Sequence, residues 1–163
     1  MSAPKLLIVT MAMIAGLLAG GRCPGQDRPA DEALKLATKL TDEGAATFSK
    51  GDAKAMAASY AEDALLFVQG KSDGGDHSVK EYDGRAEIER FYADYFKEPR
   101  TIRAKNTVEY ARLLTDDVLV IAGTFEPNQL DEKPMKLPFY QVRVRRGDRW
   151  MIHSLRLFIL PPK

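Results

Sequence analysis

Cysteine occurs once in this chain, histidine twice, and neither sign of charge is in excess. With Cys23 alone no internal disulfide can form, so stability must come from packing. His77 and His153 stand far apart, and there is no His-x-x-x-His, Cys-x-x-Cys or multi-acidic loop, so no metal site is expected. Lys and Arg total 24 and Asp and Glu total 23, a balance unlike the clustered basic excess of nucleic-acid proteins. The run Arg143, Arg145, Arg146, Arg149 is broken by Val144, Gly147 and Asp148, and reads as a solvated strand end and hairpin turn. A glycine-rich phosphate cradle and a Gly-x-Ser-x-Gly elbow are both missing, so no cofactor is expected. The longest apolar run, Leu6 to Leu18, falls short of the ~20 residues that span a bilayer.

That run has a different reading. Lys5 precedes it and the small residues Ala19, Gly20 and Gly21 follow, the pattern of a cleaved export signal over residues 1–21. The expected destination is the periplasm or the exterior, with no stable membrane insertion after cleavage. Arg22 directly before Cys23 argues against lipid attachment there. Residues 22–30, with Pro24, Gly25 and Pro29, read as a linker, leaving 31–163 as one domain.

In that domain Leu36, Leu40, Gly44 and Phe48 recur every fourth residue, one stripe of a helix opened by Asp31. Gly51 ends it, and Asp52 caps a shorter helix through Met56 and Tyr60. Ala64 to Val68 has strand character, Lys71 to Ser78 reads as a loop, and Val79 to Tyr82 as a short strand. A third helix is expected over Arg85 to Lys97, stopped by Pro99. Strands follow at 102–114, 118–125, 137–146 and 150–160, with Pro127 to Pro134 as a polar loop. In the strand from Leu137, alternation puts Tyr140, Val142 and Val144 on a buried face, with Gln141, Arg143 and Arg145 in water. Helices first and an antiparallel meander afterwards give an α+β layer architecture. A long meander must curl over the first helix, and a curled sheet closed by helices leaves a pocket. The aromatic residues Tyr60, Phe67, Phe91, Tyr92, Phe96, Tyr110, Phe125, Tyr140 and Trp150 are the candidates to line it or fill the core beside it.

His153 is the ionisable residue best placed for acid–base chemistry, since it sits among Met151, Leu155 and Leu157 in the final strand. Asp63 stands between helix and strand, where its carboxylate serves either a turn or a pocket. Arg143 is a candidate for meeting an anion, although alternation sets it opposite Tyr140 and Val142.

Four local patterns resemble the nuclear transport factor 2-like superfamily of SnoaL-like cyclases and ketosteroid isomerases, in particular its SgcJ/EcaC-type branch. They are Gly51-Asp52 with Tyr60-Ala61-Glu62-Asp63-Ala64-Leu65-Leu66, and Tyr82-Asp83-Gly84-Arg85-Ala86-Glu87-Ile88 leading into Phe91-Tyr92. The others are Asp116-Asp117-Val118-Leu119-Val120-Ile121-Ala122-Gly123 and the segment from Val142 through Gly147-Asp148 to Ser154. The resemblance implies a cone-shaped, curved antiparallel sheet wrapped around N-terminal helices, and a homodimer formed by paired sheets. It fixes no reaction, because the fold hosts isomerases, cyclases, dehydratases and non-catalytic subunits. Two functions stay open: a pocket that binds a small, apolar ligand, or a cofactor-free isomerase or cyclase using His153 or Asp63 as base and a tyrosine as oxyanion donor.

Overall fold

The computed structural model describes residues 30–71, 77–98, 101–129 and 135–160. The segments expected as an export signal and as a linker with Cys23, and residues 72–76, 99–100, 130–134 and 161–163, lie outside the described residues. The elements run α1 (Ala30–Ser49), α2 (Ala53–Ala57), β1 (Tyr60–Lys71), β2 (His77–Asp83), α3 (Gly84–Tyr95), β3 (Ile102–Thr115), β4 (Val118–Gln129), β5 (Leu137–Arg146) and β6 (Arg149–Phe158). All six strands join one sheet in the order β2-β1-β6-β5-β4-β3. This is the expected α+β architecture, with helices leading into a curved sheet. Five strand pairs make the sheet, and four of them are antiparallel. The β1–β6 pair is parallel, which the meander pattern did not anticipate.

Several boundaries move for physical reasons. Asp52 caps α2 by accepting the Ala55 N–H at 2.9 Å, but the helix stops at Ala57 and Tyr60 opens β1 instead. The Ile152 N–H donates to the Ser59 carbonyl at 2.8 Å, pulling this segment into the sheet before a second turn of helix can form. β4 runs on to Gln129 through Pro127, which pairs with Ala104 and is buried, so the loop expected from 127 starts later. His77 stands in β2 opposite Lys71, not in a loop. The Gly147-Asp148 turn forms as expected; Gly147 alone of the pair has positive φ, at 61°, as a two-residue hairpin of this kind requires.

The inner face of the sheet holds the core. Leu66, Leu119 and Ile121 are fully buried there, as is Ile88 of α3 in the same core, each contributing roughly 1.5–3 kcal/mol of hydrophobic stabilisation. The buried face of α1 is not the leucine stripe but its neighbour: Ala33, Ala37, Thr41 and Ala45 are buried, while Leu36 and Leu40 are half-covered. Small residues let the helix seat closely on β3, where side chains also tie it down. The Ala104 N–H donates to Ser49 Oγ at 2.9 Å, and Asn106 Nδ2 donates to the Thr41 carbonyl at 2.8 Å. Phe48 closes the far end of α1. Its ring centroid lies 5.0 Å from those of Phe96 and Phe125, tying α1 to the end of α3 and to β4.

β3 kinks between Val108 and Tyr110, where its register against β4 shifts. Gly123 sits opposite that kink, and a Cβ there would run into the Thr107 carbonyl and press on the Phe139 ring. Gly123→Ala should therefore destabilise the protein by about 2 kcal/mol, the scale of an overpacked interior. A lowered urea midpoint with an unchanged m-value checks this, and an unchanged midpoint would show that the strands part freely.

Candidate functional site

Between α1, α3 and the inner face of the sheet lies a cavity of about 350 Å³. Its sheet wall follows the strand register, in rows whose Leu119, Ile121, Leu66 and Gly123 lie behind the lining residues in the core. One cross-strand row is Leu119, Arg143, Ile152 and Tyr60, and the next is Ile121, Gln141, Leu155 and Leu66. Gly123, Phe139, Leu157 and Val68 make a third, and Phe125 and Leu137 lie beyond it. The first row carries the polar end. Apart from Gln141, the later rows are apolar and lead to Met135 and Ile159, both exposed and both lining the cavity.

Tyr60 and Tyr92 meet at the polar end with their hydroxyl oxygens 2.7 Å apart. Burial pushes the Tyr92 phenol up to about 12 and Tyr60 well above its ordinary value, so both stay protonated at neutral pH. Two hydroxyl protons share one hydrogen bond between the two oxygens, which leaves one O–H donor for the cavity. Tyr60 is held in place from behind. Arg85, at the start of α3, donates from Nε and Nη2 to the Tyr60 carbonyl at 3.0 and 2.8 Å. That is the physical role of the Asp83-Gly84-Arg85 pattern. It clamps a stretch of β1 whose register against β6 shifts between Tyr60 and Leu65.

Arg143 is the other occupant of this end, and it is 5% exposed. Its Nε donates to Gln141 Oε1 at 2.7 Å and its Nη2 to the Leu40 carbonyl at 3.2 Å. Burial lowers the guanidinium to about 10, which leaves it charged at neutral pH. No carboxylate among the described residues lies within ion-pair distance of it. One turn on from Leu40, Gly44 lines the cavity, and a Cβ there would have nothing within 4 Å. A mid-helix glycine costs roughly 0.5–1 kcal/mol against alanine, and here it leaves open space.

These positions reverse the expectation for β5. Leu137, Phe139, Gln141 and Arg143 face inward, while Tyr140 is 46% exposed. Tyr140 shares a row on the outer face with Tyr110, Ala122, Arg156 and Phe67. Of the aromatic candidates, Tyr60, Phe91, Tyr92 and Phe125 line the cavity. Phe67, Tyr110 and Tyr140 do not, since strand alternation turns them outward; the Arg156 guanidinium lies 4.8 Å from the Phe67 ring centroid. Phe96 packs on Phe48 and stacks on Tyr92 beside the cavity without lining it. Trp150 lines a neighbouring cleft with Leu36, Leu40 and Arg149, which shares Gly44, Met56, Ser59 and Arg143 with the cavity. Gln141, Asn106, Thr41 and Gly44 were not singled out from the sequence, yet all four line the cavity. The one available signal was parity, since Gln141 and Arg143 are in phase with Leu137 and Phe139.

His153 and Asp63 come together, but elsewhere. His153 Nδ1 lies 3.8 Å from Asp63 Oδ1, with the side chains 42% and 72% exposed. The β5–β6 register shifts at Arg143, leaving His153 between the paired Ile152 and Ser154, and neither His153 nor Asp63 lines the cavity. Among the described residues, the cavity's ionisable lining is Tyr60, Tyr92, Tyr95 and Arg143, with no carboxylate or imidazole. No group of three or more His, Cys, Asp or Glu among the described residues could hold a metal ion.

The fold is that of nuclear transport factor 2-like proteins. A putative aromatic-ring-hydroxylating dioxygenase β subunit from Novosphingobium aromaticivorans superposes with a TM-score of 0.66 at 10% identity, covering 83% of this chain and 94% of that one. An NTF-2-like protein of unknown function from Shewanella oneidensis gives 0.61 at 16% identity, covering 76% and 97%. A putative calcium/calmodulin-dependent protein kinase II association domain from Xanthomonas campestris gives 0.60 at 23% identity, covering 85% and 96%. At these identities the likeness is one of fold. No family profile and no curated protein sequence matches the chain.

The buried phenols make stability depend on alkaline pH. Folded Tyr92 keeps its proton to about pH 12, while the unfolded chain releases it near 10. Between those values the unfolded state binds fewer protons, so stability falls as pH rises. Arg143 acts oppositely, since its folded value is the lower one, but that contribution is common to wild type and Tyr92→Phe. From pH 9 to pH 11 the wild type should lose about 1 kcal/mol more than Tyr92→Phe, read from urea midpoints. Equal losses would mean that the Tyr92 phenol is not shielded.

Proposed function

We propose that the domain binds a small, mainly apolar molecule in the cavity and does not transform it. The observation that carries this reading is a cavity with hydrogen-bond donors and no base. Tyr60 and Tyr92 are placed as oxyanion donors in an isomerase would be, but the described lining residues include nothing to abstract a proton. An enzymatic reading rests on the His153–Asp63 pair, neither member of which lines the cavity. The test is calorimetric titration with 1-octanol, alongside turnover assays on small carbonyl compounds. Binding should be saturable with no turnover, and His153→Ala should leave the affinity within about twofold. Turnover that His153→Ala abolishes would overturn this reading in favour of the isomerase or cyclase.

The domain is further proposed to act as an exported homodimer paired through its outer sheet face. The support is the apolar surface that the reversed β5 presents there: Tyr140 and Tyr110 are exposed, with Val142, Leu65 and Phe67 half-covered beside them. The support for export is the leader-like run before Gly21. Protein recovered from the periplasm or medium should begin at or shortly after Arg22 and scatter light as a dimer. Tyr140→Glu combined with Val142→Glu should give a folded monomer. A full-length N-terminus would remove the export part, and a monomeric wild type the pairing part.

A further inference from the structure

Arg143 is a buried cation with no carboxylate within ion-pair distance among the described residues. Protein interiors accept an ionised side chain when it is paired, because an isolated charge is expensive to remove from water. Here the guanidinium is nine-tenths or more covered, yet its protein partners are neutral: the Gln141 amide oxygen and the Leu40 carbonyl. Those two bonds take Nε and one Nη2 proton. The Nη1–Nη2 edge, which suits a carboxylate held through two parallel hydrogen bonds, has no hydrogen-bond partner on Nη1 among the described residues. Glu43, on α1, is the nearest acidic influence, but it is exposed and outside ion-pair distance.

We propose that the cavity takes a monocarboxylate with an apolar body, its carboxylate on the free edge of Arg143 and beside the Tyr60–Tyr92 hydroxyls, its body directed toward Met135 and Ile159. This rests on the cavity being a binding site and names what it binds. The charge of the ligand follows from the lining. Arg143 is the one cationic side chain among the described lining residues, so a single negative charge neutralises the polar end. A dianion would leave a buried excess. A neutral carbonyl compound would satisfy the tyrosine donor and leave the guanidinium uncompensated. The shape follows from the walls. From Arg143 to Leu137 the cavity-facing side of β5 is about 20 Å long at ~3.3 Å per residue. A cavity of 150 Å³ holds benzene, so the volume here suits a body of roughly two rings or an equivalent alkyl chain. Gly44 completes the polar end: with no side chain, and nothing within 4 Å of where one would begin, it leaves room beside Arg143 for the headgroup.

The test uses octanoate, 4-phenylbutanoate and 1-octanol, titrated calorimetrically into the full domain. Both acids should bind at least about tenfold tighter than the alcohol, the scale of a charge-assisted hydrogen bond. Arg143→Met should erase the difference between acid and alcohol. Gly44→Leu should keep the melting temperature at or above that of the wild type while all three probes lose affinity, because the new side chain fills the polar end. Should Arg143→Met fail to fold, the wild-type acid-to-alcohol ratio and the Gly44→Leu result decide. If the alcohol binds as tightly as the acids, the carboxylate assignment is overturned and the binding cavity stands. If no probe binds the wild type, both fall.

Discussion

A single cation folded into the interior organises this domain. Arg143 can be buried only if something accepts its protons, and the acceptors it finds lie on two different elements. Gln141, two residues back on the same strand, orients the guanidinium, and the Leu40 carbonyl draws α1 against the sheet. Asn106 and Ser49 repeat the device along β3, so polar bonds fix how the helix lies on the sheet. The small residues of α1 make that approach close, and the Phe48 aromatic cluster fixes its far end. The cavity is the space left between a helix held by its backbone carbonyls and a sheet bent around it.

That same cation explains what the sequence reveals and what it conceals. The helices, the strand-rich C-terminal half and the Gly147-Asp148 turn were legible because local chemistry specifies them: a cap at Asp52, a left-handed turn glycine, alternation along strands. The fold class followed from element order, and the four patterns pointed to the same architecture. The facing of β5 was not legible. An alternation rule assigns valine and tyrosine to the core and arginine to water, and here the arrangement is reversed. Tyr140 is turned out and Gln141 and Arg143 are turned in. Patterning rules fail where a protein keeps polar groups inside for a purpose, so the failure itself marks the site. The parallel β1–β6 seam was also beyond reach, since it joins residues about ninety apart in sequence with no turn to announce it.

The similarity to a dioxygenase subunit, a protein of unknown function and an association domain is one of fold, and one fold hosts many functions. The cavity's own character lies in the composition of its polar end. Two phenols kept neutral by burial and one guanidinium kept charged provide donors and positive potential in a largely apolar enclosure. On the proposed reading, such an enclosure holds a ligand without transforming it. The histidine and aspartate that looked best suited to chemistry meet instead on a partly exposed bulge of β6, removed from the donors.

The position of β6 has a consequence for assembly. The final strand is not an edge but the centre of the sheet, with β1 on one side and β5 on the other. Until it is in place the β1–β2 hairpin, with α3 packed on it and on α2, has no strand link to the rest of the sheet. Clipping the last strand would thus cleave the architecture down its middle rather than trim a border. Completing the sheet requires the β1–β6 pairing, a long-range contact that makes folding slower than its local turns alone would suggest.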